Sequence, residues 1–230
     1  MSTLAPRYAI YFVPGAHTAL YRFGASVLGY DCYRGNDIAP IDGVDAASWP
    51  DVVREPRVYG FHATLKAPFR LAPGYSEADV ADALAAFGAE QAQVPVGELE
   101  VRALKSFIAI VPRIPCAALD KLAQACVRDF DRFRAPMSES ERTRRLASNL
   151  TARQIERLDR WGYPYVFEDF RFHMTLTGSL APPERERILQ LFCDKFARCA
   201  GARSLTIDRI VIARQMPGAP FQVMRATVLG

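Results

Sequence analysis

The sequence predicts an α+β fold with two similar lobes, and two observations lead to that prediction. The predicted elements run strand, strand, helix, strands, helix and then strand, helix, strands, so the pattern strand–helix–strands occurs twice. Half of the 230 residues are hydrophobic, enough to bury one core or two small packed lobes. We therefore expect one bilobed domain over residues 1–230, with lobes at about 1–113 and 114–230 and an inserted helical segment at about 134–166.

Short local signals predict the elements of the first lobe. Ser76 can cap the free amides of a helix start, and Lys105-Ser106 separates two apolar, strand-like runs. Residues 31–57 are rich in glycine and proline, which favours an irregular connection. The predicted elements, in order, are a strand at 8–13, a short helix within 17–30 behind Thr18, the connection at 31–57, a strand at 58–69, a helix after Ser76 and two strands within 99–111.

The second lobe follows from the same signals. Apolar residues at helical spacing mark its helices, and Thr151 and Pro182 are typical helix starts. The predicted elements, in order, are an amphipathic helix over about 119–133, a polar, arginine-rich segment at 136–149, a short helix from Thr151 to about Trp161, a strand at 170–178, a helix from Pro182 and two strands at about 205–213 and 221–228.

Composition limits the compartment and the partners. The formal net charge of +4 fits an anionic substrate but is too small to indicate a nucleic-acid coat. The five cysteines show no CxxC spacing, which is typical of free thiols in a reducing compartment. The N-terminal residues lack a signal-peptide pattern, and no apolar run approaches the ~20 residues of a membrane span. We expect a cytoplasmic monomer without a membrane partner.

Two of the three histidines begin the same four-letter pattern. They occur in His62-Ala-Thr-Leu65 and His173-Met-Thr-Leu176, while His17 lies in an unrelated turn sequence. Because side chains alternate across a strand, each histidine shares a face with the threonine two residues later. The residues between them are apolar and are expected to face a core. The pattern therefore predicts two polar faces, one carrying His62 with Thr64 and the other His173 with Thr175.

The same alternation adds a cation to each face. Lys66 continues the face of Thr64, and Arg171 precedes His173 by two residues, although a β-bulge would turn either away. Cleavage of a phosphodiester needs one group that accepts a proton and another that donates one, and two imidazoles can do both near neutral pH. Threonine hydroxyls and the two cations can bind the phosphoryl oxygens. No third histidine or nearby carboxylate completes a metal-ligand set, so we expect neither a metal nor another cofactor.

The doubled motif, about 110 residues apart, resembles that of the 2H phosphoesterase superfamily (LigT-like and cyclic phosphodiesterase proteins). The strings at 59–69, 161–165 and 170–178 resemble a branch labelled phosphonate-metabolism protein. The resemblance implies antiparallel sheets with helices on the outer face around a central cleft. It also implies action on cyclic or 2′–5′ phosphodiesters, such as a ribose cyclic phosphate. In that family the two histidines are acid and base and the two threonines hold the phosphate.

Several further residues are candidates for substrate binding, each with an ordinary alternative. Arg142 and Arg145 could bind a second phosphate or form a solvated helix face. The aromatic candidates Tyr11, Tyr163 and Tyr165 could reach the substrate or simply pack.

Two other functions stay open. A non-catalytic module for RNA ends or nucleotides would use the same cleft, although the low net charge does not favour RNA or tRNA as the partner over a small phosphorylated substrate. A metallohydrolase is the third possibility.

Overall fold

A computed structural model describes residues 5–230 of the chain. It contains an eight-stranded antiparallel sheet in which the first strand, β1, is an inner strand. The sheet order is β10-β9-β1-β4-β7-β6-β5-β8, and a separate hairpin joins β2 to β3. The chain is thus α+β, as predicted. In chain order the strands are β1 (Arg7–Phe12), β2 (Tyr30–Asp31), β3 (Asn36–Asp37), β4 (Ala63–Phe69), β5 (Val94–Leu104), β6 (Phe107–Pro112), β7 (Met174–Thr175), β8 (Ser204–Ile207), β9 (Arg209–Gln215) and β10 (Phe221–Val228).

Seven α-helices and two short 3₁₀ turns accompany the sheet within the described residues. Helix α3 packs on β9 and β10, α4 on β4, and α7 on β5 and β6. The 3₁₀ turns are Asp131–Phe133 and Phe167–Asp169. The helices are α1 (Ala19–Leu28), α2 (Trp49–Arg57), α3 (Glu77–Glu90), α4 (Ala117–Asp129), α5 (Glu139–Leu146), α6 (Ala152–Trp161) and α7 (Pro182–Arg198). No helix in residues 5–230 has both the length and the apolar character needed to cross a bilayer.

The sheet curls until its two ends approach each other. Strand β8 forms one end, and β9 is the second strand from the other end, yet Asp208 alone separates them in the chain. Two consecutive peptide units span less than about 8 Å, so the ends cannot be far apart. The backbone of Asp208 also accepts a hydrogen bond from the amide of Leu229, just beyond β10 (2.8 Å).

Aromatic packing joins α1 and α2 to α7, the helix that packs on β5 and β6. The ring of Phe23 in α1 meets Phe196 of α7 edge-on at 5.3 Å, and Trp49 of α2 meets Phe192 at 5.9 Å. These residues belong to one continuous core that also includes both faces of β1. The core thus fixes the central strands that carry the site.

The predicted helix starts are confirmed in detail. The Ser76 hydroxyl accepts from the amide of Asp79, whose carboxylate in turn accepts from the amide of Ser76, so α3 begins with a capping box. Thr151 forms the same box with Gln154, and α6 ends at Gly162 with a left-handed φ of 74°.

Several predicted elements have different bounds. The segment 31–57 is not wholly irregular, because it contains the β2–β3 hairpin and α2, where Pro50 is tolerated in the first turn. The predicted strand 58–69 begins only at residue 63, and the predicted strand 170–178 shrinks to Met174–Thr175. The predicted strand 205–213 is two strands, β8 and β9.

The predicted boundary near residue 113 does not divide the sheet. Strands β9 and β10, from the end of the chain, pair beside β1, while β5 and β6 pair with β7 and β8. The reason lies in β1, which is buried over five of its six residues and pairs along both edges. Helices α5 and α6 lie within residues 134–166, and the assignment of this segment as an insertion stays a prediction.

Candidate active site

The two motifs meet at the junction of β4 and β7. Ala63 pairs with Met174 in antiparallel register, and both side chains are buried. Continuing that register by one residue in each direction puts His62 opposite Thr175 and Thr64 opposite His173. All four are partly exposed and lie on the face opposite to the apolar pair. The junction therefore brings both histidines and both threonines onto one face of the sheet.

The His62 ring is held by hydrogen bonds at both nitrogens. Its Nδ1 lies 2.9 Å from the carbonyl oxygen of Gly60, and its Nε2 lies 3.1 Å from Thr64 Oγ1. Since a carbonyl only accepts, the proton of the neutral ring is on Nδ1, and Nε2 accepts from the Thr64 hydroxyl. Gly60 has φ 70°, and a Cβ there would lie 2.6 Å from Cys32 Cβ. The position that supplies the carbonyl thus requires glycine.

Burial keeps His62 neutral. Burial of the ring and the charge of the nearby His173 together lower the pKa of His62 to about 4, although the hydrogen bond to Gly60 opposes both effects. At neutral pH the Nε2 lone pair of His62 is therefore available as a base.

His173 is fixed in the same manner by its own upstream carbonyl. Its Nδ1 donates to the carbonyl oxygen of Arg171 at 2.7 Å, again two residues earlier, and its ring lies 5.8 Å from that of Phe107. Its Nε2 and the hydroxyl of Thr175 have no hydrogen-bond partner within residues 5–230. The second motif therefore offers one open ring nitrogen and one open hydroxyl.

Lys66 is not on this face, contrary to the sequence prediction. The register of β1 against β4 shifts between Ile10–Lys66 and Tyr11–Thr64, so a bulge puts Lys66 on the face opposite to Thr64. There Lys66 is 3% exposed, and its Nζ donates to the Val127 carbonyl at 3.0 Å and to Asp131 at 2.9 Å. Burial lowers the pKa of Lys66, although Asp131 opposes the shift.

Arg171 is also turned away from the position predicted for it. Because β7 starts only at Met174, strand alternation does not extend back to Arg171. Its exposed guanidinium donates to the carbonyl of Glu168 at 2.8 Å, in the 3₁₀ turn before it. Arg171 contributes its backbone carbonyl to His173, and its side chain binds that turn.

Tyr11 packs directly on His62. The ring centroids are 3.9 Å apart, and Tyr11 is 1% exposed. Its hydroxyl is buried without a hydrogen-bond partner within residues 5–230. Burial raises the pKa of Tyr11 well above its usual value, so the phenol stays protonated. Tyr59 was not among the predicted site residues. The centroid of its ring lies 6.0 Å from that of His62 and 5.6 Å from that of Phe221, on which it stacks.

The candidates in α5 and in the segment after α6 separate into two groups. Arg142 forms a two-bond ion pair with Asp159 of α6, at 2.7 and 2.9 Å, on an exposed helix face. Arg145 instead lies over the ring of Tyr163 at 5.6 Å, and burial lowers its pKa. Tyr163 contacts Tyr165 edge-on at 5.6 Å, and Tyr165 is 43% exposed.

No metal centre is evident in the described part of the chain. Within residues 5–230, no three His, Cys, Asp or Glu side chains lie close enough together to hold an ion.

Comparisons with known proteins identify the family. The model of the family described as "Protein of unknown function (DUF1045)" matches residues 64–222, which include the second motif and begin just after His62. A protein of Janthinobacterium sp. (strain Marseille), named ribose 1,5-bisphosphate phosphokinase PhnN, is 38% identical over 221 residues, covering 94% of this chain and 49% of that protein. A protein of the same name from Laribacter hongkongensis (strain HLHK9) is 37% identical over 174 residues, covering 76% and 40%. The chain spans half or less of these relatives' length. By the match over 64–222, the chain belongs to the DUF1045 family.

Proposed function

We propose that the chain is a metal-independent phosphodiesterase that opens a cyclic, or 2′–5′, phosphodiester of a small ribose- or nucleotide-like substrate. The observation that supports this proposal is the pairing of Ala63 with Met174, because continuing that register by one residue in each direction would bring His62 opposite Thr175 and Thr64 opposite His173. Two imidazoles on one face can supply the base and the acid that cleavage of a phosphodiester needs.

The neutral state of the His62 ring favours this residue as the base. Its neutral Nε2 takes a proton from the attacking water, whose oxygen bonds to phosphorus. His173, protonated at Nε2, gives its proton to the ester oxygen as the phosphorus–oxygen bond breaks. Exchange of protons with solvent then restores the starting pair. This assignment rests on the low pKa of His62 and on its Nδ1–H bond to the Gly60 carbonyl.

The threonines have a separate task. The single hydroxyl proton of Thr64 is directed at His62 Nε2 in the free protein. When a phosphate enters, we expect this hydroxyl to turn and donate to a non-bridging oxygen, which frees Nε2 for the water. The open hydroxyl of Thr175 donates to the same phosphate, so charge that builds up in the transition state is bound from both strands.

The name of the relatives does not transfer as a whole. Phosphoryl transfer from ATP commonly uses a G-x-x-x-x-G-K-[ST] loop, and this sequence has no Gly-Lys pair at all. We infer that the phosphokinase activity in that name belongs to the part of those proteins that this chain does not match. The ribose in the name, together with the resemblance to a phosphonate-metabolism branch, supports a ribose phosphate from phosphonate breakdown as the substrate.

Phosphorus NMR of the purified chain tests the proposal. Chelator-treated protein is incubated with 1,2- and 2′,3′-cyclic phosphates of ribose and ribonucleosides, and we expect at least one ring to open. His62→Asn and His173→Asn should each lower the rate by about 10²- to 10⁴-fold, whereas His17→Asn, which changes an exposed histidine outside the motif, should not.

Three results would contradict the proposal. One is folded protein that opens no cyclic phosphate. Another is activity that depends on an added divalent ion, which would favour a metallohydrolase. The third is tight nucleotide binding without turnover that survives loss of both histidines, which would favour the non-catalytic module.

A further inference from the structure

Tyr11 carries a buried hydroxyl that no group in residues 5–230 satisfies. A buried hydroxyl without a partner is unfavourable, and such groups are rare unless a ligand or water completes them. The strand pattern puts Tyr11 on the same face as Thr64, and its ring lies against His62. The Tyr11 ring is therefore next to the proposed catalytic base, and its unsatisfied oxygen is not part of either motif.

Two arginines without acidic partners lie on the same side. Arg7 is four residues before Tyr11 on β1, lies over the ring of Phe221 at 5.5 Å and donates to the neutral side chain of Gln215 at 2.8 Å. Arg145 lies over Tyr163 at 5.6 Å. Neither guanidinium forms an ion pair within residues 5–230. Both guanidinium charges are thus free to bind an anion.

These arginines line one pocket. Glu141 is the one acidic side chain among the residues that line the pocket. Glu141 pairs with Arg70, and Arg134 pairs with Asp131 outside the pocket lining. The arginines that line it are Arg7, Arg70, Arg134, Arg144 and Arg145. After these pairs are formed, the pocket keeps an excess of positive charge.

A series of aromatic rings connects this pocket to His62. The Phe221 ring that Arg7 covers is 5.8 Å from the ring of Tyr11 and is stacked on Tyr59, which neighbours His62. Along β1, the four residues from Arg7 to Tyr11 span about 13 Å. That separation leaves room for a pentose between a phosphorus at the histidines and an anion near Arg7.

We propose that Arg7, Tyr11 and Arg145 form a second anion subsite, which binds a phosphate monoester at the end of the substrate opposite to the diester that is cleaved. This inference rests on the proposed function for the identity of the substrate. It makes the substrate a sugar that carries two phosphates, one cyclic and one terminal. Arginine suits such a group because its planar fork donates two hydrogen bonds to phosphate.

Calorimetric titration with ribose 5-phosphate tests the subsite without any turnover. The His62→Asn/His173→Asn double variant is used, so that the imidazoles do not hold the ligand. We expect ribose 5-phosphate to bind and ribose not to bind. Arg7→Gln and Arg145→Gln should each weaken binding about tenfold or more, and Tyr11→Phe about threefold or more. The matched control is Arg153→Gln. Arg153 is an exposed arginine of the neighbouring helix α6, and it pairs with Asp169.

Steady-state kinetics separates the subsite from the reaction. The measured quantity is the ratio of kcat/KM for a ribose cyclic phosphate with and without a 5-phosphate. We expect wild type to prefer the 5-phosphorylated substrate and Arg145→Gln to lower that preference about 10- to 100-fold.

The outcomes distinguish the two proposals. If no cyclic phosphate opens but binding of ribose 5-phosphate depends on Arg7 and Arg145, the reaction is wrong and the subsite stands. Equal rates with and without the 5-phosphate, or affinity for ribose 5-phosphate unchanged by the arginine variants, would overturn the subsite.

Discussion

The ammonium of Lys66 lies 2.9 Å from the carboxylate of Asp131, at a site where the lysine is 3% exposed. This pair joins β4 to the 3₁₀ turn after α4. Asp131 also accepts from Arg134 at 2.8 Å, and the pKa of Asp131 is lowered: burial opposes the shift, but the hydrogen bonds and charges of Arg134 and Lys66 outweigh it. The cation that the sequence suggested for phosphate binding therefore has a structural role.

Removing one member of this pair should be costlier than removing both. Asp131→Asn leaves a buried ammonium without its counter-charge, and we expect a loss of about 3 kcal/mol in the free energy of unfolding. The double variant Lys66→Met/Asp131→Asn should recover part of that loss, because no unpaired charge is then buried on β4. Urea denaturation measures both values, and a double variant less stable than Asp131→Asn would contradict the argument.

The low pKa of His62 should appear as a pH dependence of stability. Above pH about 6.5 the ring is neutral in both the folded and the unfolded chain, so the low pKa of His62 does not reduce the free energy of unfolding. As the pH falls toward about 4, the unfolded chain binds a proton that the folded chain refuses, and stability falls by on the order of 2 kcal/mol.

NMR of the ring nitrogens provides the measurement for His62. At pH 5.5 its Nδ1 should be protonated and its Nε2 unprotonated, and His62→Gln should flatten the stability loss between pH 6.5 and 4. A His62 titration midpoint near 6.5 would show that burial does not hold the ring neutral.

Loss of either threonine hydroxyl should slow the reaction more than it destabilises the fold. Thr64→Val and Thr175→Val each remove a donor to a charged oxygen, and we expect kcat/KM to fall about 10- to 100-fold. Thr64→Ser and Thr175→Ser keep the hydroxyl and should retain most of the activity. Thr206→Val, at an exposed position of β8, is the control for a threonine outside the site. Equal effects of Val and Ser would argue against a role for the hydroxyls.

Packing requires a glycine at position 24 of α1, and the side chain it makes room for is next to the site in sequence. A Cβ at this position would lie 2.2 Å from ring carbons of Phe61, which is fully buried and precedes His62. Alanine gains about 1 kcal/mol of helix propensity over glycine, but we expect the clash with this fully buried ring to cost more. We expect Gly24→Ala to lower thermal stability by about 2 kcal/mol and to reduce activity, whereas Arg22→Ala on the exposed side of α1 changes little. An unchanged melting temperature would show that Phe61 can shift.

Strand alternation predicted the face shared by His62 and Thr64 because Ala63 between them has a strict apolar role. The same rule failed one step later at Lys66, since a bulge depends on how β1 registers against β4 and leaves no trace in the residues of β4 alone. The acidic partner of Lys66 is 65 residues away, so local pattern could not reveal it.

The last strands of the sequence do carry a local signal of where they break. Leu205 and Ile207 alternate with polar residues, whereas residues 210–213 form a continuous apolar run, and this change of pattern at Asp208 marks the break between β8 and β9. Tyr59 and Arg7 could not be found in this way. Tyr59 follows α2 in a turn, where alternation does not apply, and its place beside His62 depends on tertiary packing.

The position of β1 determines how short a piece of the chain can be and still form the complete sheet. Because β1 lies between β4 and β9, a piece trimmed to the 64–222 match would lose the strand that bridges them, together with His62 and most of β10. Two long apolar edges would then be open, and such edges pair with other molecules rather than with water. The shortest piece that keeps the sheet intact should therefore begin ahead of residue 7, and shorter pieces should aggregate.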